Sequence, residues 1–157
     1  MIKIIPILAS FLISILQFHC EDTGVQPIDL QFSDIENMRY FRVEQPKTLV
    51  IRTQKEWDSF LRGSFFPPSN LHGVDFPRVD FNEEMVIGVF WGGGCKYSGC
   101  TNVSRSIERL VMSLNGIEVK VGPLQDLGLC EACVSPLHIV KVEKSELPVV
   151  FVGNLPA

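Results

Sequence analysis

The sequence from 79 to 102 reads Val-Asp-Phe-Asn-Glu-Glu-Met-Val-Ile-Gly-Val-Phe-Trp-Gly-Gly-Gly-Cys-Lys-Tyr-Ser-Gly-Cys-Thr-Asn, and it decides the fold. Turn residues come first, since Asp80 and Asn82 can bond their own backbone. A dense apolar run, 85–91, follows them. A run this short, bounded by turn residues and rich in Val, Ile and aromatics, predicts a buried strand. Gly88 within it predicts a β-bulge or the close approach of another backbone.

Composition places limits on the class of protein. The chain has 157 residues, a formal net charge of -4 and 46% hydrophobic residues. This length allows one domain, and the hydrophobic content is enough for a core. Nucleic-acid binding usually needs a basic face, and attraction to anionic lipid needs a polybasic segment. The mixed, slightly acidic charge therefore argues against both kinds of partner.

The first residues predict export. Residues 1–3 form a minimal basic region, and 4–16 form an apolar segment of signal-peptide length. That segment is too short to span a bilayer comfortably, which takes about 20 apolar residues. We predict a signal peptide over 1–19 and a tether over 20–27. The alternative, a buried N-terminal helix, is disfavoured by the linker-like residues that follow the apolar segment.

Cys20 lies where a bacterial lipoprotein carries its lipidated cysteine. The match to a lipobox is loose, because Phe18 and His19 stand where small residues are usual. No Ala-x-Ala site for ordinary signal peptidase is visible, which favours lipidation over simple secretion or an uncleaved anchor. A diacylglyceryl-type anchor supplies two chains, so attachment would be stable. We therefore expect a lipid-anchored protein of the bacterial cell envelope, in the periplasm or on the outer membrane.

The remaining chain, 28–157, predicts a single, mostly β domain. Short segments with the alternation of half-buried strands recur between turn signals. The candidate strands are 28–35, 38–43, 48–51, 85–91, 104–113, 117–121, 137–142 and 149–152. They predict an antiparallel sandwich or a partly open barrel. Asn115-Gly116 between two of them predicts a hairpin with a type I′ turn.

One short helix is predicted over 54–62. Thr53 and Glu56 form a capping box, in which each side chain can bond the other residue's backbone amide. Gly63 and the following Pro67-Pro68 end the helix. Its apolar face, which we expect to pack on the core, carries residues at i, i+3 and i+4. These are Trp57, Phe60 and Leu61.

Four cysteines remain once Cys20 is set aside. They are Cys95, Cys100, Cys130 and Cys133. In an exported protein they predict two disulfides, with three possible connectivities. Pairing between the two loops would staple the glycine-rich turn to the approach of a later strand, and local pairing is the alternative. A four-cysteine zinc site and a thiol-redox pair in the Cys-x-x-Cys segment are competing interpretations, which export and the missing helix after that segment disfavour.

No catalytic residue is predicted. His19, His72 and His138 are isolated in the sequence, and nothing marks a nucleophile or an orienting acid beside any of them. Glu83 and Glu84 are adjacent, so in an extended segment they face opposite ways and form a solvated turn. We expect a protein that is not an enzyme and that uses no cofactor or metal.

With these residues laid out, the chain from about Arg52 to Phe151 resembles the C-terminal domain of the protease-complex subunit PrcB family. The matching features are Glu56-Trp57, Pro67-Pro68, the segment 79–86, Gly92, Gly99-Cys100 and the segment 135–140. After the central strand the family usually has Pro-Thr-Gly-Gly-Tyr, whereas this chain has Gly-Gly-Gly-Cys-Lys-Tyr-Ser-Gly-Cys. The difference indicates a disulfide-containing branch.

The resemblance implies an exported, often lipid-anchored accessory protein that binds and stabilises a secreted protease complex. Rigid scaffolds commonly present binding residues on loops, so we expect contacts on the loops 92–101 and 64–78. Aromatic residues dominate interface energetics. We therefore predict these partner contacts: Trp91, Tyr97, Phe65 and Phe66.

Two other functions stay open at this point. One is a thiol-redox or zinc-binding envelope protein that uses the four cysteines. The other is a structural surface protein with no specific partner. Counting free thiols, analysing bound metal and co-purifying partners from the native envelope distinguish these hypotheses.

Overall fold

The computed structural model describes residues 26–67, 74–93 and 95–157. The predicted signal peptide, Cys20 and most of the tether lie outside these residues, as does His72. The fold is mostly β, as predicted, with 40% strand and 11% helix. Among the residues described, no helix is long and apolar enough to cross a membrane.

Ten strands, one α-helix and one 3-10 helix form the described part of the chain. In order they are β1 (Ile28–Leu30), β2 (Phe32–Asp34), the 3-10 helix (Met38–Tyr40), β3 (Lys47–Ile51), α1 (Gln54–Ser64), β4 (Glu84–Phe90), β5 (Tyr97–Ser98), β6 (Ile107–Ser113), β7 (Gly116–Val121), β8 (Cys133–Val134), β9 (Leu137–Glu143) and β10 (Val149–Gly153). The central sheet has the order β2-β9-β4-β3, and the outer sheet has the order β1-β6-β7-β10. A small third sheet pairs β5 with β8.

The central sheet is covered on both faces. One face packs against the outer sheet, with Met85, Ile87 and Val89 of β4 meeting residues of β6 and β7. The other face packs against α1 and nearby loops. The sheets are not closed into a barrel, so of the two predicted architectures the structure matches the sandwich.

Strand β4 is fully buried from Met85 to Phe90, which explains its unbroken apolar sequence. A strand covered on both faces needs no polar alternation. The prediction for Gly88 was wrong, because β4 pairs in continuous register with both β3 and β9. A Cβ at Gly88 would lie 2.7 Å from the Phe90 ring and 3.3 Å from Leu49 Cγ. Glycine makes room for an aromatic ring there, rather than for a bulge or another backbone.

Helix α1 begins as predicted and extends to Ser64. The Thr53 hydroxyl accepts from the Glu56 amide at 3.3 Å, and the Glu56 carboxylate accepts from the Thr53 amide at 3.2 Å. The Arg52 amide also donates to that carboxylate, and these hydrogen bonds hold the pKa of Glu56 below its usual value. Trp57 and Leu61 are buried against the central sheet.

Two N-terminal predictions needed correction. The segment 28–35 is two strands, because the chain crosses at Gln31 from the outer sheet into the central sheet. The segment 38–43 is not a strand. It begins with the 3-10 helix and continues through Phe41, which forms one isolated bridge with Phe65.

Two predicted strand connections differ in detail. β10 joins β7 in parallel, although the prediction was antiparallel. The β6–β7 hairpin is confirmed, but Ser113 pairs with Gly116, so the turn residues are Leu114 and Asn115. Neither of them has positive φ, as a type I′ turn would need. Gly116, with φ of 153°, instead begins the return strand against the Pro148 carbonyl.

Candidate functional site

Two disulfides tie together two loops at one end of the sandwich. Cys95 pairs with Cys133 and Cys100 pairs with Cys130, with Cα–Cα distances of 4.4 and 4.9 Å. The sequence left the connectivity open, and the structure has pairing between the loops rather than within them. Between the bridges, β5 pairs with β8 in antiparallel register. The two loops, 92–101 and 122–134, therefore form one cross-linked surface, called here the stapled surface.

The backbone of the stapled surface depends on glycines that allow close approach. Gly128 has φ of 88°, and a Cβ there would lie 2.9 Å from Cys100 Sγ. A Cβ at Gly99 would collide with Leu127. These contacts bring the Cys100 amide within hydrogen-bonding distance of the Leu127 carbonyl. Cys95 itself has φ of 61°, a conformation uncommon for a residue with a side chain.

Asn102 fastens the stapled surface to the sandwich. Its Oδ1 accepts from the Ser135 amide at 3.0 Å, and its Nδ2 faces the carbonyls of Arg39 and Phe41 at 3.4 Å. Its own carbonyl accepts from the Leu137 amide at 2.8 Å. One side chain thus connects three separate segments, which fixes the loops relative to the central sheet.

The described starts of the two predicted contact loops lie on either side of one segment at this end of the molecule. The segment 42–46 lies between them, because the Gly93 amide donates to the Glu44 carbonyl at 3.0 Å. The Arg42 amide donates to the Ser64 carbonyl at 2.8 Å on the other side. Gly93, this segment and the end of α1 are therefore connected by backbone hydrogen bonds close to the disulfides.

The predicted aromatic contacts do not form one patch. Trp91 and Phe65 are only 6% exposed. Trp91 lies in the core between the two sheets, and Phe65 lies in the core between the central sheet and α1. A partner cannot reach buried side chains, so these two assignments need correction. Tyr97 is half-buried against the core between the central and outer sheets, called here the inter-sheet core. Phe66 is 53% exposed and remains available for contact.

Leu129 is an exposed apolar residue that the sequence did not indicate as a contact. It is 100% exposed, and it lies between Gly128 and the bridged Cys130. All four bridged cysteines are also exposed. The local sequence, a leucine between a glycine and a cysteine, does not by itself indicate this exposure.

The four sulfur atoms are bonded to one another as disulfides in this structure. A disulfide sulfur is not a thiolate, and thiolate is the form that binds zinc or attacks another disulfide. Cys130 and Cys133 bond to different partners, so their Cys-x-x-Cys segment is not a local redox pair. Within the described ranges, no group of three or more His, Cys, Asp or Glu residues is placed to hold a metal ion.

His138 forms a buried polar connection that the sequence did not reveal. Its Nε2 lies 2.9 Å from Asp34 Oδ1, and its Nδ1 accepts from the Ile107 amide at 2.9 Å. Arg105 Nε donates to the other Asp34 oxygen at 3.0 Å. Burial lowers the pKa of His138, and the Asp34 carboxylate offsets part of that shift. Both ring nitrogens are occupied and the residue is 1% exposed. His138 therefore connects Asp34, on the neighbouring strand of the central sheet, to the Ile107 amide of the outer sheet.

The fold and the stapled surface together define a small β sandwich with two exposed loops held by nested disulfides. Comparison of the chain with protein-family models, with curated proteins and with solved structures found no match. The resemblance to the PrcB family therefore rests on the residues quoted for it above.

Proposed function

We propose that this chain is a non-catalytic, exported accessory protein that binds and stabilises a partner protein, namely an exported protease complex. In this proposal Cys20 carries the lipid anchor and the sandwich is the binding domain. The support for the partner class is the resemblance to the PrcB family. The support for a binding role comes from the stapled surface.

The observation that carries the proposal is the full exposure of Leu129 on a loop that is covalently fixed. A fully exposed leucine side chain contributes no burial free energy to the stability of the fold. Binding normally costs free energy because loops must be ordered, and a loop already fixed by two bridges avoids much of that cost. An apolar residue on such a loop is therefore suited to insert into a pocket of a partner.

The surroundings of Leu129 fit the usual layout of an interface. Asp126 and Glu131, both exposed, flank it on the same loop. Protein interfaces commonly have an apolar centre with a polar rim. Phe66 supplies a second exposed apolar side chain, beside the segment that connects it to the stapled surface.

The test is co-purification of a tagged full chain from the native envelope after mild cross-linking. We expect a protease to be captured, and capture to be lost in Leu129→Asp. The matched control is Leu114→Asp, because Leu114 is 70% exposed and lies in the β6–β7 turn, at the far end of β6 from the loop that carries Asn102. Equal capture by wild type and Leu129→Asp would overturn the assignment of the surface. Capture of proteins without protease activity would overturn the partner class.

A second candidate function is thiol–disulfide exchange, and the exposure of all four bridged cysteines favours it. Exposed disulfides are the ones that thiols can reach. Counting free thiols and bound metal in protein purified from the envelope separates the candidates. Four free thiols, or retained zinc, would replace the accessory-protein proposal with one centred on the cysteines.

A further inference from the structure

Strand β10 has one unpaired edge. It lies at the end of the outer sheet and pairs only with β7 among the described strands. The Ile117 amide donates to the Pro148 carbonyl and the Asn154 amide donates to the Val121 carbonyl, both at 2.8 Å. Even-numbered residues of this segment therefore direct their backbone groups toward β7.

The odd-numbered residues of β10 direct their backbone groups away from β7, because alternate residues of a strand face opposite edges. They are Val149, Phe151 and Gly153. Apart from the Gly153 carbonyl, which accepts from the Leu155 amide at 3.1 Å, these groups have no partner within the described chain. A carbonyl has two lone pairs, so Gly153 can still accept a second hydrogen bond.

This edge lacks the usual protection against strand pairing. Natural edge strands are commonly short or carry charged residues. β1 and β2 have three residues each, and β3 begins with Lys47. β10 has five residues, and the segment 147–153 carries no charge. Val150 is 57% exposed, and Val149 and Phe151 are only partly buried against the inter-sheet core.

We infer that this edge binds a second copy of the same chain, by antiparallel pairing of β10 with β10 across a two-fold axis at Phe151. In that register Phe151 pairs with Phe151 of the other copy, and Val149 pairs with Gly153. The outward-facing backbone N–H and C=O groups of all three residues then form hydrogen bonds between the copies. Two identical strips can meet without charge repulsion because neither carries a charge. The partly exposed Val149 and Phe151 side chains would then cover each other, and the two outer sheets would become one. This inference is independent of the proposed accessory function.

The same register places Val150 opposite Val152 of the other copy, on the solvent side of the sheet. This pairing gives a specific test that uses two differently tagged full chains expressed together. Capture of one tag with the other measures association. Val150→Lys with Val152→Lys puts like charges opposite each other at two places, and we expect about a tenfold loss of association. Val150→Lys with Val152→Glu puts opposite charges there, and we expect association to return.

The matched control is Leu114→Lys, which changes an exposed apolar residue away from the edge and is expected to leave association unchanged. The circular dichroism spectrum of each variant verifies that it is folded. Three results would each overturn the inference. They are no capture between wild-type copies, unchanged capture with two lysines, and failure of a folded lysine–glutamate variant to associate.

Discussion

The Ile107 amide on β6 donates a hydrogen bond to Nδ1 of His138 on β9, at 2.9 Å, and so connects the two sheets inside the sandwich. A protonated Nδ1 could not accept this bond. The Asp34 carboxylate on β2 holds the other ring nitrogen. Neutral His138 is therefore the form that the fold requires.

Stability should fall with acidification because of His138. Burial lowers its pKa in the folded state below the value of 6.5 that applies to the unfolded chain. Below 6.5 the unfolded chain binds a proton that the folded chain does not, so the free energy of unfolding decreases, whereas above 6.5 the contribution is fully present. Urea unfolding at a series of pH values measures this slope. His138→Gln should flatten it below about 6.5, and an unchanged slope would contradict the assignment.

Gly88→Ala should destabilise the fold by about 1–3 kcal/mol, because the new methyl group would overlap the buried Phe90 ring. Gly63→Ala is the matched control. Nothing lies within 4 Å of a Cβ at Gly63, which is inside α1. Alanine there should raise the free energy of unfolding by about 0.5–1 kcal/mol. Chemical denaturation should therefore give a lower free energy of unfolding for Gly88→Ala and a higher one for Gly63→Ala than for wild type.

Peptide mapping without reduction should find Cys95 joined to Cys133 and Cys100 joined to Cys130. Replacing one pair by serine should lower the free energy of unfolding by about 2–4 kcal/mol, because the unfolded chain regains freedom. The map is measured by mass spectrometry and the stability by denaturation of the double variant. Detection of a Cys95–Cys100 peptide would show that the loops are not stapled to each other.

Asn102→Asp should cost about 1–3 kcal/mol of stability. The carboxylate can still accept from the Ser135 amide, but it would face the Arg39 and Phe41 carbonyls with no proton to donate. Asn115→Asp, in the exposed hairpin turn, is the control and should stay within about 0.5 kcal/mol of wild type. Similar losses in the two variants would mean that Asn102 does not fasten the loops.

Local chemistry explains what could be predicted from the sequence. The capping box needs only Thr53 and Glu56 at the right spacing, and both predicted hydrogen bonds are present. The buried strand follows from an apolar run bounded by turns. Whether Ile28 and Phe32 belong to one strand or two depends on which sheet each joins, and that is set by β6 and β9, far away in sequence.

The candidate site was harder to predict than the fold, because exposure is a property of the assembled chain. Trp91 follows β4 directly, and the packing of β4 between two layers carries it into the core. Leu129 precedes Cys130, which is bonded to Cys100, and it is fully exposed in the folded chain. Aromatic content indicated Trp91 and Phe65, which the fold buries, and nothing in the local sequence of Leu129 specifies its surroundings.

The nested order of the two bridges changes what cutting the chain would do. Cys95–Cys133 encloses Cys100–Cys130, and the inner pair, separated by 30 positions in sequence, encloses the whole β6–β7 hairpin. A single endopeptidase cut at the exposed Leu114–Asn115 turn would release no fragment, since both pieces stay covalently joined at the base of the hairpin. The nicked chain would keep its sheet pairing, because the two disulfides hold the pieces in register. The domain could thus lose one peptide bond and still remain a single covalent unit.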